Sequence, residues 1–447
     1  MVKPVTRRNF LRYSGIASSA LTFSPFFLER LTAMAAAAPA LTRVYKVMNG
    51  ADCFQNVAKL WQLLGGPAQF IGATDIVVIK ANAQWPNQGY THTGCIKAVI
   101  DAILTIPGFS GEVLLCDNIQ GGGLGSGNYG FDATAGNRVN NWPTMNWIQL
   151  AASYQSLGQP VALVQWQNDI NWRSPQLPLP SWSVWNPASG PGWTRYFLNY
   201  SGRNTYISSP VFQSPLTPGR MIDMKNGVWE NGSYTGRKVK AIFMPTLNNH
   251  DYSGGSEDYA GITSAVKSFY GATEIFHGSP TYISDDYVWN GYYSIHSSSF
   301  TQSDALAGGT LVGNFINNLY APVLYITSAI YSGWFNRTAT NGAAYTNTVL
   351  ACTNPVTLDY VACRDVISPY AAWLNPDLNN NTRKQILGCN SQGIGTIDPS
   401  MFEIVTYDFN HPTTTRLEID QKVHDFKAGT ATQQDVKDVI SQYMQGQ

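Results

Sequence analysis

The chain has 447 residues, carries 28 basic and 28 acidic side chains for a formal net charge of zero, and is only 13% charged. That balance, with no basic stripe, argues against nucleic-acid binding, and no apolar run after residue 40 reaches the ~18 residues a membrane helix needs. At a soft ~150 residues per domain, the length allows two or three units or one large body with insertions.

Residues 1–40 read as a targeting segment. Thr6-Arg7-Arg8-Asn9-Phe10-Leu11-Arg12 has the form of a twin-arginine motif. A mildly apolar stretch over 13–28 follows, interrupted by Gly15, Ser18, Ser19 and Ser24, and then a small-residue tail over 34–40. A basic head, an apolar middle and an A-x-A-like end predict a cleaved signal peptide rather than structure. The expectation is export, already folded, by the twin-arginine machinery to the periplasm or the extracellular space. Its removal takes away five basic residues and one acidic residue, leaving a charge of about −4.

From residue 75 the pattern turns α/β. Ile76-Val77-Val78-Ile79 is a continuous apolar run, as expected of a strand buried on both faces. Ile96, Val99, Ile100, Ile103 and Leu104 recur at helical spacing, and Val113-Leu114-Leu115-Cys116 is a second strand, completing a β-α-β unit. A helix over 145–154 and a strand over 161–164 close a first α/β segment, 41–167. Residues 168–236 are dominated by Pro, Ser, Trp, Asn and Gly and predict a loop-rich insertion packed on the body. The α/β rhythm returns over 237–447. It predicts strands at 239–244, 323–326, 348–351 and 402–406, and helices ending at Gly271 and spanning 303–318, 355–366 and 432–444. The fold class expected is α/β, with a central, mostly parallel sheet flanked by helices.

Cys53, Cys95, Cys116, Cys352, Cys363 and Cys389 form no C-x-x-C, so neither a cysteine-ligated zinc nor an intrinsic iron–sulfur cluster is expected. H-E-x-x-H and G-x-S-x-G are absent as well. Gly125-Ser126-Gly127-Asn128-Tyr129-Gly130 spells G-x-G-x-x-G, but no helical period follows it, so it predicts a glycine loop rather than a nucleotide site. His250-Asp251 with Glu257 and Asp258 offers mixed N/O metal ligands, with no metal singled out.

Four segments carry the candidate chemistry: Ile79-Lys80-Ala81-Asn82; Asp117-Asn118; Pro245 to His250, leading into Gly261-Ile262-Thr263 and on to Gly271; and Asn354-Pro355-Val356-Thr357-Leu358-Asp359. In this order the set resembles the domain of unknown function 362 family, bacterial and archaeal proteins often linked to iron–sulfur modules. Lys80, Asn82, Asp117, His250, Gly261, Thr263, Lys267, Gly271, Pro355 and Asp359 match the family's motif positions. Asn248, Ser268 and Asn354 depart from the residues common there, and the ferredoxin-type cysteine run of some members is missing. The resemblance covers roughly residues 75–365, interrupted by 168–236. It implies a fold and a site, not a settled reaction.

In open α/β sheets, ligands bind beyond the carboxyl ends of the strands. Lys80, Asn82, Asp117 and His250 all follow apolar strand runs, so one rim is expected to hold them. Lys80 would hold an anion, Asp117 would take a proton, hold a metal or orient Lys80, His250 would act as acid, base or metal ligand, and Lys267 would add positive charge. Asn82, Asn118, Thr263 and Asp359 are expected to contact ligand. The leading expectation is an enzyme or binding protein for a small anionic or polar metabolite. Two alternatives stand beside it: a glycan- or peptide-binding module built on the aromatic-rich insertion, and an accessory subunit of a periplasmic redox complex whose iron–sulfur partner is a separate chain.

Overall fold

The computed structural model describes residues 41–118, 130–131, 145–166, 185–200, 203–249, 261–274, 281–283, 286–290, 305–335, 337, 341–411, 422–423, 425–426 and 428–445. Residues Thr42–Gln447 form one compact unit. No helix among the described residues is long and apolar enough to cross a membrane. The first half runs β1 (Thr42–Met48), α1 (Cys53–Leu64), β2 (Ile76–Ala81), α2 (Thr93–Leu104), β3 (Glu112–Asp117), α3 (Trp147–Ser156) and β4 (Val161–Gln165). All six residues of β2 and all six of β3 are buried, as a strand covered on both faces requires. β1 and α1 are additions to the sequence reading. Asp52 caps α1 by accepting from the Gln55 amide, and Gly65 ends it in the left-handed conformation.

The second half adds β10 (Val239–Met244), β11 (Thr246–Asn249), β12 (Ile262–Thr263), α4 (Ala265–Ser268), α5 (Ala305–Asn318), β15 (Leu324–Gly333), β16 (Ala343–Cys352), α6 (Pro355–Ala362), α7 (Asn381–Asn390), β17 (Phe402–Asp408) and α8 (Gln433–Gln445). The helix expected to end at Gly271 is shorter than predicted. Ile262 and Thr263 pair with Asn249 and Asn248 of β11 as a strand, and only Ala265–Ser268 turn as α-helix before a 3-10 turn over Phe269–Gly271.

The main sheet has the order β17-β1-β16-β15-β10-β2-β3-β4. From β15 to β4 every neighbouring pair is parallel, and β1 is parallel to β17, while β16 runs antiparallel to both β1 and β15. The architecture is therefore α/β with a mostly parallel sheet. The chain leaves β2 toward β3 and β4, and returns through β10 on the other side of β2. That reversal makes the β2–β10 junction the topological switch point.

Alternation along the strands divides the core in two. Val77, Ile79, Val113 and Leu115 pack with Leu60 of α1, Val99 of α2 and Leu150 of α3. Ile76, Val78, Leu114 and Phe243 pack on the other face with Val266 of α4, Phe315 of α5, Leu358 of α6 and Ile386 of α7. α5 and α7 approach through glycines: a β-carbon at Gly309 would meet the Gln385 carbonyl oxygen at 1.9 Å, and one at Gly388 the Leu306 carbonyl oxygen at 2.1 Å.

The segment expected to be loop-rich contains a second sheet. β5 (Gly192–Tyr200), β6 (Arg203–Gln213), β7 (Met221–Asp223), β8 (Gly227–Glu230) and β9 (Ser233–Tyr234) pair antiparallel in succession, and β14 (Asp286–Asn290) with β13 (Thr281–Ile283) extends it. Ile207, Phe212, Ile222 and Val228 bury the second sheet against the main one. Glu112 fixes one corner of that contact. It accepts from the Ser214 and Thr217 hydroxyls, each at 2.6 Å, and pairs with the Arg220 guanidinium, which also binds Glu230.

Candidate functional site

β2 and β3 deliver Lys80 and Asp117 to the carboxyl end of the sheet. Lys80 is opposite Cys116 in register, which brings it beside the final residue of β3. Its Nζ lies 3.3 Å from Asp117 Oδ1, and both side chains are almost completely buried. Asp117 Oδ2 accepts from the Ala83 amide at 2.8 Å. Burial pushes the lysine down and the carboxyl up, each opposed by the partner's charge. Both shifts run toward a neutral pair, so a proton moves between these two groups at less cost than between exposed ones.

A short segment seals the pair. A β-carbon at Gly271 would stand 2.9 Å from Asp117 Oδ1 and 3.0 Å from Lys80 Nζ, so only glycine lets the backbone come this close. Two residues on, the Thr273 carbonyl accepts from Asn118 Nδ2 at 2.7 Å. The second sheet clamps the same segment: Ser208 bonds Thr273 and the Glu274 amide, and the buried Arg195 holds Glu274 with two bonds of 3.0 Å. Sequence reading does not single out Arg195, Glu274 or Thr273 for this site. Arg195 and Glu274 are 79 residues apart, and no local pattern marks either one.

Asn82 bridges the switch point. Its amide donates to Thr91 Oγ1, its side-chain oxygen accepts from the Thr246 amide at 3.3 Å, and Thr91 Oγ1 donates to the last carbonyl of β10, that of Met244. These bonds stitch the ends of β2 and β10 together.

The remaining predicted residues fall into a second group. Lys267 is buried and donates to the Gly261 carbonyl at 3.3 Å. Thr263 lies in the β11–β12 ladder. Asp359 of α6 is fully buried and accepts from the Ala265 and Val266 amides, both at 2.8 Å, capping α4 from across the core. Burial raises its carboxyl to about 7, against those amide bonds and the Ser264 hydroxyl. Lys80, Asp117, Asn118 and Asn82 thus meet at one sheet edge. Lys267, Thr263 and Asp359 hold the strand-and-helix segment that leads to Gly271. His250, Asp251, Glu257 and Asp258 lie outside the described residues, as does most of the glycine loop before Gly130.

Two oxygens distinguish the first group. Asp117 Oδ1 and Asn118 Oδ1 are buried and meet no aligned hydrogen-bond donor among the described residues. Lys80 approaches the first as an ion pair, without that alignment. Other buried side-chain atoms of the chain share this state, but these two oxygens stand together beside a buried lysine at the carboxyl end of the sheet. They suit a small molecule that brings its own N–H or O–H groups.

No family model matches the chain, and neither a curated protein nor a solved structure was found similar to it. The resemblance to the domain of unknown function 362 family rests on the motif residues alone.

Proposed function

We propose that this chain is an exported protein, akin to the domain of unknown function 362 family, that binds or transforms a small anionic or polar metabolite at the carboxyl ends of β2, β3 and β10. The buried Lys80–Asp117 pair, on β2 and β3 beside the switch point, is the observation that carries this reading. Such a pair is weak evidence of stability design, because well-packed apolar residues of similar size usually serve a core as well or better. It gives a site one cation to meet an anionic group, one carboxylate to meet a donor, and a proton that can pass between them. Asn118 adds an acceptor oxygen. Lys80 would neutralise the anionic end of the metabolite, and Asp117 would take or return a proton at its polar end.

The test is a chain with Lys80→Met and Asp117→Leu together, which removes both charges and leaves volume in place. We expect its unfolding free energy to stay within about 1–2 kcal/mol of wild type or to rise. Native mass spectrometry of protein purified from its own compartment should find a bound metabolite in wild type and none in the variant. Retention of the same molecule at the same occupancy by both proteins defeats the reading. Fractionation of the source cells tests export, which predicts a mature chain lacking approximately residues 1–40.

A further inference from the structure

The opposite face of the main sheet gathers a second set of reactive side chains. Cys53 is the first residue of α1, His92 is the N-cap of α2, and Cys95 lies in the first turn of α2. One ligand atom from each lies within 4.8 Å of the other two, and all three residues are buried. The sequence hides this set, because Cys53 is some 40 residues from the His-x-x-Cys step over 92–95. We propose that Cys53, His92 and Cys95 form a binding site for a single divalent zinc ion.

Four features of the geometry favour it. Cys53 and Cys95 each lie in the first turn of a helix, where the helix dipole favours a negatively charged group. Gly94 permits the approach: a β-carbon there would be 2.6 Å from Cys53 Sγ and 3.1 Å from His92 Nδ1, so the sulfur and that ring edge crowd the same point. His92 Nδ1 accepts from the Gly94 amide at a long 3.2 Å, a weak bond that the single lone pair of that nitrogen would give up to reach an ion. The Ser328 hydroxyl is fully buried beside the Cys95 thiol, meets no other hydrogen-bond partner among the described residues, and offers an oxygen for the fourth position.

Charge selects the ion. Two thiolates and a neutral imidazole cancel a divalent cation, whereas a monovalent one would leave a buried negative charge. Thiolate and imidazole donors suit zinc over calcium or magnesium. Binding releases the thiol protons and requires no oxidant. The sulfurs lie among the α1 and α2 side chains, on the sheet face away from the one that packs Ile76 and Val78, so this site is independent of the proposal for Lys80 and Asp117.

The experiment uses the full chain, reduced and stripped of metal, titrated with Zn²⁺ against a chromophoric chelator and separately with Co²⁺. One equivalent should bind, and the Co²⁺ form should show thiolate charge-transfer absorption. Cys53→Ser and Cys95→Ser should each weaken binding at least 100-fold, His92→Gln about 10- to 100-fold, and Cys116→Ser, a buried thiol outside the set, should leave it unchanged. X-ray absorption of the wild-type zinc form requires no variant and should show two sulfurs near 2.3 Å. A Co²⁺ spectrum without thiolate character, Zn²⁺ affinity unchanged by the cysteine variants, no sulfur around the zinc, or a Cys53–Cys95 disulfide in the native protein would each overturn the proposal.

Discussion

β3 holds a buried carboxylate at each end, and the two are treated differently. Glu112 and Asp117 are separated by five residue steps, about 17 Å. Glu112 meets two hydroxyls and a guanidinium, so both of its oxygens are engaged. Asp117 accepts from the Ala83 amide and meets a lysine at 3.3 Å, and its Oδ1 has no aligned donor among the described residues. The first arrangement is that of a fastening between two sheets. The second leaves one carboxylate oxygen with an ion pair and no aligned donor among the described residues, and it is on this difference that the proposed ligand site rests.

The contrast can be broken at either end. Glu112→Ala leaves two hydroxyls without their acceptor and Arg220 with Glu230 as its remaining carboxylate, and should cost about 1–3 kcal/mol in urea unfolding. A loss below about 1 kcal/mol would mean that Glu112 is no fastening. Gly271→Ala places a methyl group against Asp117 and Lys80, and should cost about 1–3 kcal/mol by overpacking. It should also lower metabolite occupancy, whereas Gly108→Ala, where the added carbon has open space and the cost is backbone strain at a left-handed residue, should not alter occupancy.

Asp359, another buried carboxylate, sharpens the contrast through pH. Asp359 holds its proton to about 7 in the fold, against an ordinary value of 3.8. Between those values the native chain binds the extra proton, so this contribution to stability is complete below about pH 4 and fades as pH rises through 7, by at most about 1.4 kcal/mol per pH unit. The upward displacement of Asp117 acts in the same direction. Asp359→Asn should therefore lose less stability than wild type between pH 5 and pH 8 in parallel urea titrations. Equal losses would show that Asp359 titrates as an ordinary carboxyl.

The parts legible in the sequence are those whose burial is written as a run of apolar residues. Ile76 to Ile79 and Val113 to Cys116 announce central strands because parallel strands are covered on both faces. Lys80, Asp117 and Asn82 follow from that reading, since a polar residue directly after such a run must sit at the sheet's end. α7 was not legible, because Gly388 against the Leu306 carbonyl and Gly309 against that of Gln385 make its contact through absent side chains. β5 and β6 are not legible because Thr194, Arg195, Ser208 and Ser209 are polar yet buried, and the partners of Arg195 and Ser208, Glu274 and Thr273, are distant in sequence. The Cys53–His92–Cys95 set escaped for the same reason: its proximity is a product of packing α1 on α2.

The position of β1 sets a schedule for synthesis. It lies between β16 and β17, strands that begin roughly 300 and 350 residues later. At about 5–20 residues per second, a ribosome needs on the order of 15–60 seconds to produce its first partner. Throughout that interval the edge of β1 stays open to any other strand in reach, so a nascent chain of this kind calls for a holding chaperone near its beginning, and stalled or truncated products should aggregate through that strand.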